Sequence, residues 1–169
     1  MYRRKHVMPP KLKEMIKQNR PKIIESISED MSNYVNTSSF DLYIDNSKIL
    51  DAGLGVYTSD FIPENTIIDE YRGKLIETDN PITNEYYYEL VTGDKSKGIL
   101  SVGIDAGDLP RNYMAMINDS SFDKVLKNNC EFQDDIENKK VYVVTLRDIE
   151  PDEELFASYG DGYWHTYTF

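Results

Sequence analysis

The chain has a single cysteine, a single tryptophan and no long apolar run. One thiol, Cys130, excludes an internal disulfide and any zinc site built from several cysteines. It also suits a reducing, intracellular compartment. No stretch approaches the roughly 18 apolar residues that a membrane span requires, and no signal-peptide pattern opens the sequence. No internal repeat or low-complexity block is present. At 169 residues the chain fits one domain with a short appendage and is long enough to bury a core.

Positive charge is scarce outside one region. The net charge is −11, from 19 cations and 30 anions. Residues 1–22 hold eight of the cations (Arg3, Arg4, Lys5, Lys11, Lys13, Lys17, Arg20, Lys22) against Glu14 alone, leaving −18 on the remainder. A basic arm on an acidic body points to two different partners. The body repels phosphate and attracts a Lys/Arg-rich peptide. The arm either folds back on the body, is a solvated tail, or contacts nucleic acid by phosphate neutralisation.

Residues 11–30 read as a helix, with Leu12, Met15, Ile16, Ile23, Ile24 and Ile27 at spacings of three, four and seven and a kink at Pro21. From about residue 39 the pattern changes to short β-branched or alternating runs, at 40–44, 55–57, 66–71, 86–91, 99–104 and 141–146. Turn signals such as Pro63-Glu64-Asn65 and Thr92-Gly93-Asp94 separate them. The expected fold is mostly β, several small sheets with short helices near 112–116 and 122–126. The boundary falls near residue 38, dividing a basic helical arm (1–38) from the main domain (39–169).

Three blocks carry chemistry. In Ala52-Gly53-Leu54-Gly55, two glycines let backbone groups approach a ligand closely, because no Cβ intervenes. No strand–GxGxxG–helix unit surrounds them, so this is not a dinucleotide fingerprint, and an ordinary tight turn is the competing reading. Tyr86-Tyr87-Tyr88 on a strand alternate in direction, so Tyr86 and Tyr88 share a face and Tyr87 opposes them. Core packing is the competing reading there. The third block runs from Ile117-Asn118-Asp119-Ser120 to Glu154-Leu155-Phe156-Ala157-Ser158-Tyr159-Gly160, some forty residues on.

In order and spacing these blocks resemble those of SET-domain lysine methyltransferases, over about residues 50–164. The opening block includes Glu70-Tyr71-Arg72-Gly73, and the closing one continues through Asp161-Gly162-Tyr163-Trp164. The resemblance implies a β-clip SET fold with a C-terminal pseudoknot, here without flanking cysteine-rich zinc modules. It also implies methyl transfer from S-adenosylmethionine to a lysine amine. Cofactor binding is then expected at Gly53, Leu54, Gly55, Tyr86, Asn118, Asp119 and Trp164, the tryptophan serving as a lid on the adenine or sealing a core edge. Tyr159 is the expected catalytic residue, with Tyr71 beside it. Tyr88, Phe132, Ala157 and Tyr163 are expected to line the lysine channel, and no metal is expected. Asp119 stands where the family has histidine, which is compatible with cofactor binding if the adenine contacts come from backbone. Cys130, in Asn129-Cys130-Glu131-Phe132, reads as a buried small hydrophobe and not a nucleophile.

The resemblance further implies a basic protein substrate, a histone tail by default, and hence a nuclear, chromatin-associated address. Neither Phe132 nor Ala157 carries a hydroxyl, which leans towards di- or trimethylation. Two other functions compete: a SET-like module that binds a basic peptide with weak or no turnover, and a small β-clip domain for a non-peptide ligand such as a sugar. Monomer and homodimer both remain open.

Overall fold

The computed structural model describes residues 31–80 and 84–166, with side chains through residue 163. The helix expected at 11–30, and with it most of the basic arm, lies outside the described residues.

Among the described residues, β-branched and aromatic residues between turn formers produce ten short strands. These are β1 (Tyr34–Val35), β2 (Leu42–Asn46), β3 (Leu54–Thr58), β4 (Ile67–Glu70), β5 (Lys74–Thr78), β6 (Tyr87–Val91), β7 (Ser101–Asp105), β8 (Arg111–Asn112), β9 (Cys130–Asp135) and β10 (Lys140–Thr145). One helix, α1 (Gly160–Thr166), ends the described chain. The strands form four small sheets: β2–β3, β4–β10–β9, β5–β7–β6 and the parallel pair β1–β8. The fold is thus the mostly β, multi-sheet one expected.

The sheets share one core. Val56, Ile62, Met114, Ile117, Val141, Val143, Ile149 and Leu155 are all fully buried there. Each such side chain contributes about 1.5–3 kcal/mol of transfer free energy. The segment 154–157 runs through this core. Glu154 bridges Tyr57 antiparallel, while Phe156 and Ala157 bridge Asn118 and Cys130 in parallel. The Leu155 N–H donates to Val56 O at 2.7 Å and the Ala157 N–H to Asn118 O at 3.0 Å. Asn129 clamps the far side, its Nδ2 donating to Glu154 O and its Oδ1 accepting from Phe156 N, both at 2.8 Å. This threading of 154–157 past 117–119 and 129–130 is the C-terminal pseudoknot, and it gathers the three chemistry-bearing blocks.

Some local expectations fail. Residues 122–126 are turns, not a helix, because the Asp123 carboxylate accepts from the N–H groups of Val125 and Leu126, both at 2.8 Å. Such local side-chain bonds compete with the helical ladder. The short helix near 112 is a single 3-10 turn, Tyr113–Met116, capped by the Asn112 side chain. Tyr86 precedes β6 and is not on it. Ahead of β2, β1 pairs with β8, and Ser38 Oγ donates to Ile68 O at 2.7 Å.

Candidate active site

Asn118 sits beside the crossing, and its Nδ2 donates to Leu54 O at 2.7 Å. That bond ties the glycine turn to the 117–119 segment. It also fixes which end of the amide is which: the NH2 is spent on a carbonyl, leaving Oδ1 as an acceptor. Within the turn, Gly53 has φ +73°, a left-handed conformation that glycine adopts without steric cost. Gly55 is glycine for a different reason. A Cβ there would lie 2.0 Å from Glu154 Oε1, so the missing side chain makes room for the protein's own carboxylate.

Asp119 is buried, and its carboxylate is committed to the fold. Oδ1 accepts from Ser121 N at 2.8 Å, from the Ser121 hydroxyl and from Asn128 Nδ2 at 3.1 Å. Oδ2 accepts from Tyr159 N at 2.8 Å. The aspartate therefore anchors the backbone of Tyr159 to the crossing.

Tyr159 is half-buried as a residue, with its phenol end deep. The hydroxyl donates to Ile117 O at 2.5 Å. Burial raises its pKa well above the ordinary tyrosine value, and Tyr163, Asp119, Tyr71 and Tyr86 add to the shift. Those neighbours include three of the four other tyrosines expected at the site, Tyr71, Tyr86 and Tyr163. The ring of Tyr163 meets that of Tyr159 edge-on, with centroids 4.7 Å apart.

Beside it stands an aromatic wall of three rings. Tyr71 and Tyr88 have centroids 5.9 Å apart, Tyr71 and Phe132 5.9 Å, and Tyr88 and Phe132 5.4 Å. Tyr71 is buried and its hydroxyl donates to Tyr86 O at 2.7 Å. The Tyr88 hydroxyl donates to Asp134 Oδ1 at 2.7 Å. Burial first and this carboxylate second push the Tyr88 pKa upward. Tyr86, ahead of β6, packs on the core, as does Tyr88, whereas the Tyr87 ring lies over Gly103, the opposite side from Tyr88 as alternation along β6 requires. One face of Tyr86 is taken by the Arg111 guanidinium, 3.5 Å from the ring centroid, a cation–π arrangement. Burial nonetheless lifts the Tyr86 pKa to about 12. Ala157 is fully buried in the crossing itself. Trp164 belongs to α1, and its side chain falls outside the described set.

The structure brings Asn118, Asp119, Tyr159, Tyr163, Tyr71, Tyr88, Phe132, Ala157 and the glycine turn around one crossing. Cys130 is buried with its pKa pushed up to about 12, chiefly by desolvation, so it is no nucleophile at neutral pH. Sequence reasoning missed Glu154, which is buried under the glycine turn. It also missed Asn129, Arg111 and Asp134. For Glu154 the available signal was its place next to Leu155 in a block that otherwise reads as an acidic surface turn.

Residues 53–160 match the family described as SET domain. The Caenorhabditis elegans protein histone-lysine N-methyltransferase set-17 is 30% identical over 122 residues, 71% of this chain and 41% of that protein. Among solved structures, KRYPTONITE in complex with mCHH DNA, H3(1-15) peptide and SAH is similar with a TM-score of 0.56 and 26% identity. That match covers 73% of this chain and 24% of KRYPTONITE. The methyltransferase domain of human PR domain-containing protein 2 has a TM-score of 0.54 at 21% identity, over 72% and 78% of the two chains, a likeness of fold alone. The chain spans under half of the worm protein and about a quarter of KRYPTONITE.

Proposed function

Because the chain belongs to the SET-domain family, we propose that it is an S-adenosylmethionine-dependent protein-lysine methyltransferase acting on a Lys-rich protein tail, a histone tail first among candidates. One observation carries the reading. Two tyrosine hydroxyls beside an aromatic wall, Tyr159 and Tyr71, each spend their single proton on a backbone carbonyl. Each phenol oxygen can then meet a further group only as an acceptor. With Asn118 Oδ1 they make a set of acceptors, which fits an amine and a cationic cofactor and would not serve a phosphate or carboxylate.

When bound, S-adenosylmethionine supplies a methyl group on a positively charged sulfur; the residues supply position. The glycine turn and Asn118 would hold the cofactor, Asp119 through its backbone, since its carboxylate is occupied. A substrate ammonium has a pKa of about 10.4, so neutralising it at pH 7 costs about 4–5 kcal/mol. A dry wall of Tyr71, Tyr88 and Phe132 disfavours the charged form and lowers that cost. Tyr159 does not take the proton: its own raised pKa keeps it neutral, and the proton leaves to solvent before transfer. The phenol oxygens of Tyr159 and Tyr71 orient the neutral amine for in-line approach, worth several kcal/mol when prearranged.

The acidic body favours a basic peptide by long-range attraction, and Asp134 holds Tyr88 at the wall. The KRYPTONITE complex contains an H3(1-15) peptide, and set-17 is named for histone lysine; both support a histone substrate and a nuclear, chromatin address. The arm of residues 1–22 is the part suited to nucleic acid. Without hydroxyls at Phe132 and Ala157, the product is di- or trimethyl-lysine. Labelled S-adenosylmethionine with mixed core histones and, separately, with a whole-cell extract, followed by mass spectrometry, tests the enzyme, its substrate and its product. Label on one histone lysine is expected; label only on non-histone proteins would remove the histone part, and none on any protein would remove the enzyme.

A further inference from the structure

Glu154 is a carboxylate of the core that the mechanism above leaves unused. Its residue is 1% exposed, yet among the described residues no lysine or arginine pairs with it. A buried charge without a counter-ion is tolerable only when hydrogen bonds satisfy it. Here they do. Oε1 accepts from Ser47 Oγ at 2.6 Å, and Oε2 from the Lys48 N–H at 2.7 Å. The Tyr57 hydroxyl, whose shorter bond goes to Asn46 O, lies 3.2 Å from Oε2. Asn118 Nδ2 lies 3.5 Å from Oε1. Ser47 Oγ, the Lys48 N–H and Asn118 Nδ2 present protons to the carboxylate, while the Tyr57 proton is spent on Asn46 O, so the cage suits a group that accepts.

What the cage grips is the loop leading into the glycine turn. Ser47 N donates to Gly53 O at 2.7 Å, and Ser47 Oγ also receives the Ile49 N–H at 3.1 Å. The loop contains two left-handed residues, Asp51 and Gly53, at φ +63° and +73°. A non-glycine residue in that region is uncommon, and something must hold the loop there. Gly55 lacks a Cβ where Glu154 Oε1 sits, so the turn and the carboxylate are shaped to each other. The same carboxylate edge lies against the amide of Asn118, whose other contact is Leu54 O.

We propose that Glu154 is a positioning residue for the cofactor: an anionic latch that fixes loop 47–55 and the Asn118 amide in their binding arrangement before the cofactor arrives. This rests on the reading of the crossing as an S-adenosylmethionine site. Glu154 touches no substrate; it acts through Ser47, Lys48 N–H and Asn118. Glutamine in its place would keep the shape but remove the charge: an NH2 facing the Lys48 N–H would set donor against donor, and one facing Ser47 would force its hydroxyl to turn from donor to acceptor.

The test uses the full chain and two readouts. Hydrogen exchange without cofactor should show the amides of 47–55 exchanging at least tenfold faster in Glu154→Gln than in wild type, with β10 unchanged. Calorimetry with S-adenosylhomocysteine should show affinity at least tenfold weaker, and in turnover the KM for S-adenosylmethionine should rise while kcat stays within threefold. A folded Glu154→Gln with unchanged loop exchange and S-adenosylhomocysteine affinity within twofold of wild type overturns the latch. If Glu154→Gln does not fold, Ser47→Ala, which removes one donor from a half-buried position, is read the same way. Faster loop exchange and at least threefold weaker binding support the latch, and no change in either refutes it. Wild type that fails to bind S-adenosylhomocysteine refutes the cofactor reading instead, and accelerated loop exchange in the variants would then leave Glu154 a purely structural clamp.

Discussion

Replacing Tyr159 by phenylalanine removes one oxygen and leaves the rest of the crossing in place. The ring still meets Tyr163 edge-on, and the backbone N–H still reaches Asp119 Oδ2. What is lost is the bond to Ile117 O and the acceptor lone pairs. Leaving a buried carbonyl without its partner costs about 1–3 kcal/mol. In a chain of this size that lowers Tm by roughly 2–4 °C per kcal/mol. Losing a preorganised polar contact at the reacting atoms costs about a hundredfold or more in kcat, or about 2.7 kcal/mol of barrier. The turn and Asn118 are untouched, so S-adenosylhomocysteine affinity should stay within threefold. Steady-state methyl transfer, calorimetry and a thermal melt measure the three quantities separately. A variant that keeps more than a third of wild-type kcat while folded would refute Tyr159 as the orienting group.

Three further outcomes are expected. Tyr57, Tyr86, Tyr88 and Tyr159 all have raised pKa values in the fold. Below about pH 10 both states keep these phenols protonated; above it the unfolded chain loses protons first, so stability falls as pH rises towards and past the folded values. Melts should be flat in this respect up to about pH 9 and drop above pH 10, with absorbance at the phenolate band rising in step with unfolding; full ionisation of all the tyrosines in the native state would contradict it. Cys130 should resist thiol reagents in the native protein and react at once in denaturant, since only the thiolate attacks; rapid native labelling would show that the crossing opens. Phe132→Tyr places a hydroxyl on the wall beside Tyr71 and Tyr88 and should shift products towards monomethyl-lysine by several-fold in mass spectra, whereas an unchanged product ratio would remove Phe132 from the control of multiplicity.

The sequence made the expected strands legible where β-branched runs met turn residues, as at Pro63-Glu64-Asn65 before β4. It hid β9, because Cys130–Asp135 buries only its first residue and otherwise reads as a polar loop. It hid α1 as well, since a helix that begins Gly-Asp-Gly has poor intrinsic propensity. At the site, Tyr159, Tyr71 and Asn118 were legible through their order along the chain. Asp119 looked like a departure until its carboxylate was seen holding Tyr159 N and Ser121, a role that depends on contacts forty residues apart. Glu154 stayed hidden for the same reason: a glutamate in an acidic run reads as solvated, and only the fold brings Ser47 and the Lys48 N–H to it.

The central claim is methyl transfer to a lysine side chain. Incubating the chain with methyl-labelled S-adenosylmethionine and a Lys-rich basic peptide, then hydrolysing and separating the amino acids, tests it most directly. The account predicts label in methylated lysine, abolished by Tyr159→Phe. Label in another amino acid, or label in lysine that survives Tyr159→Phe undiminished, would contradict it.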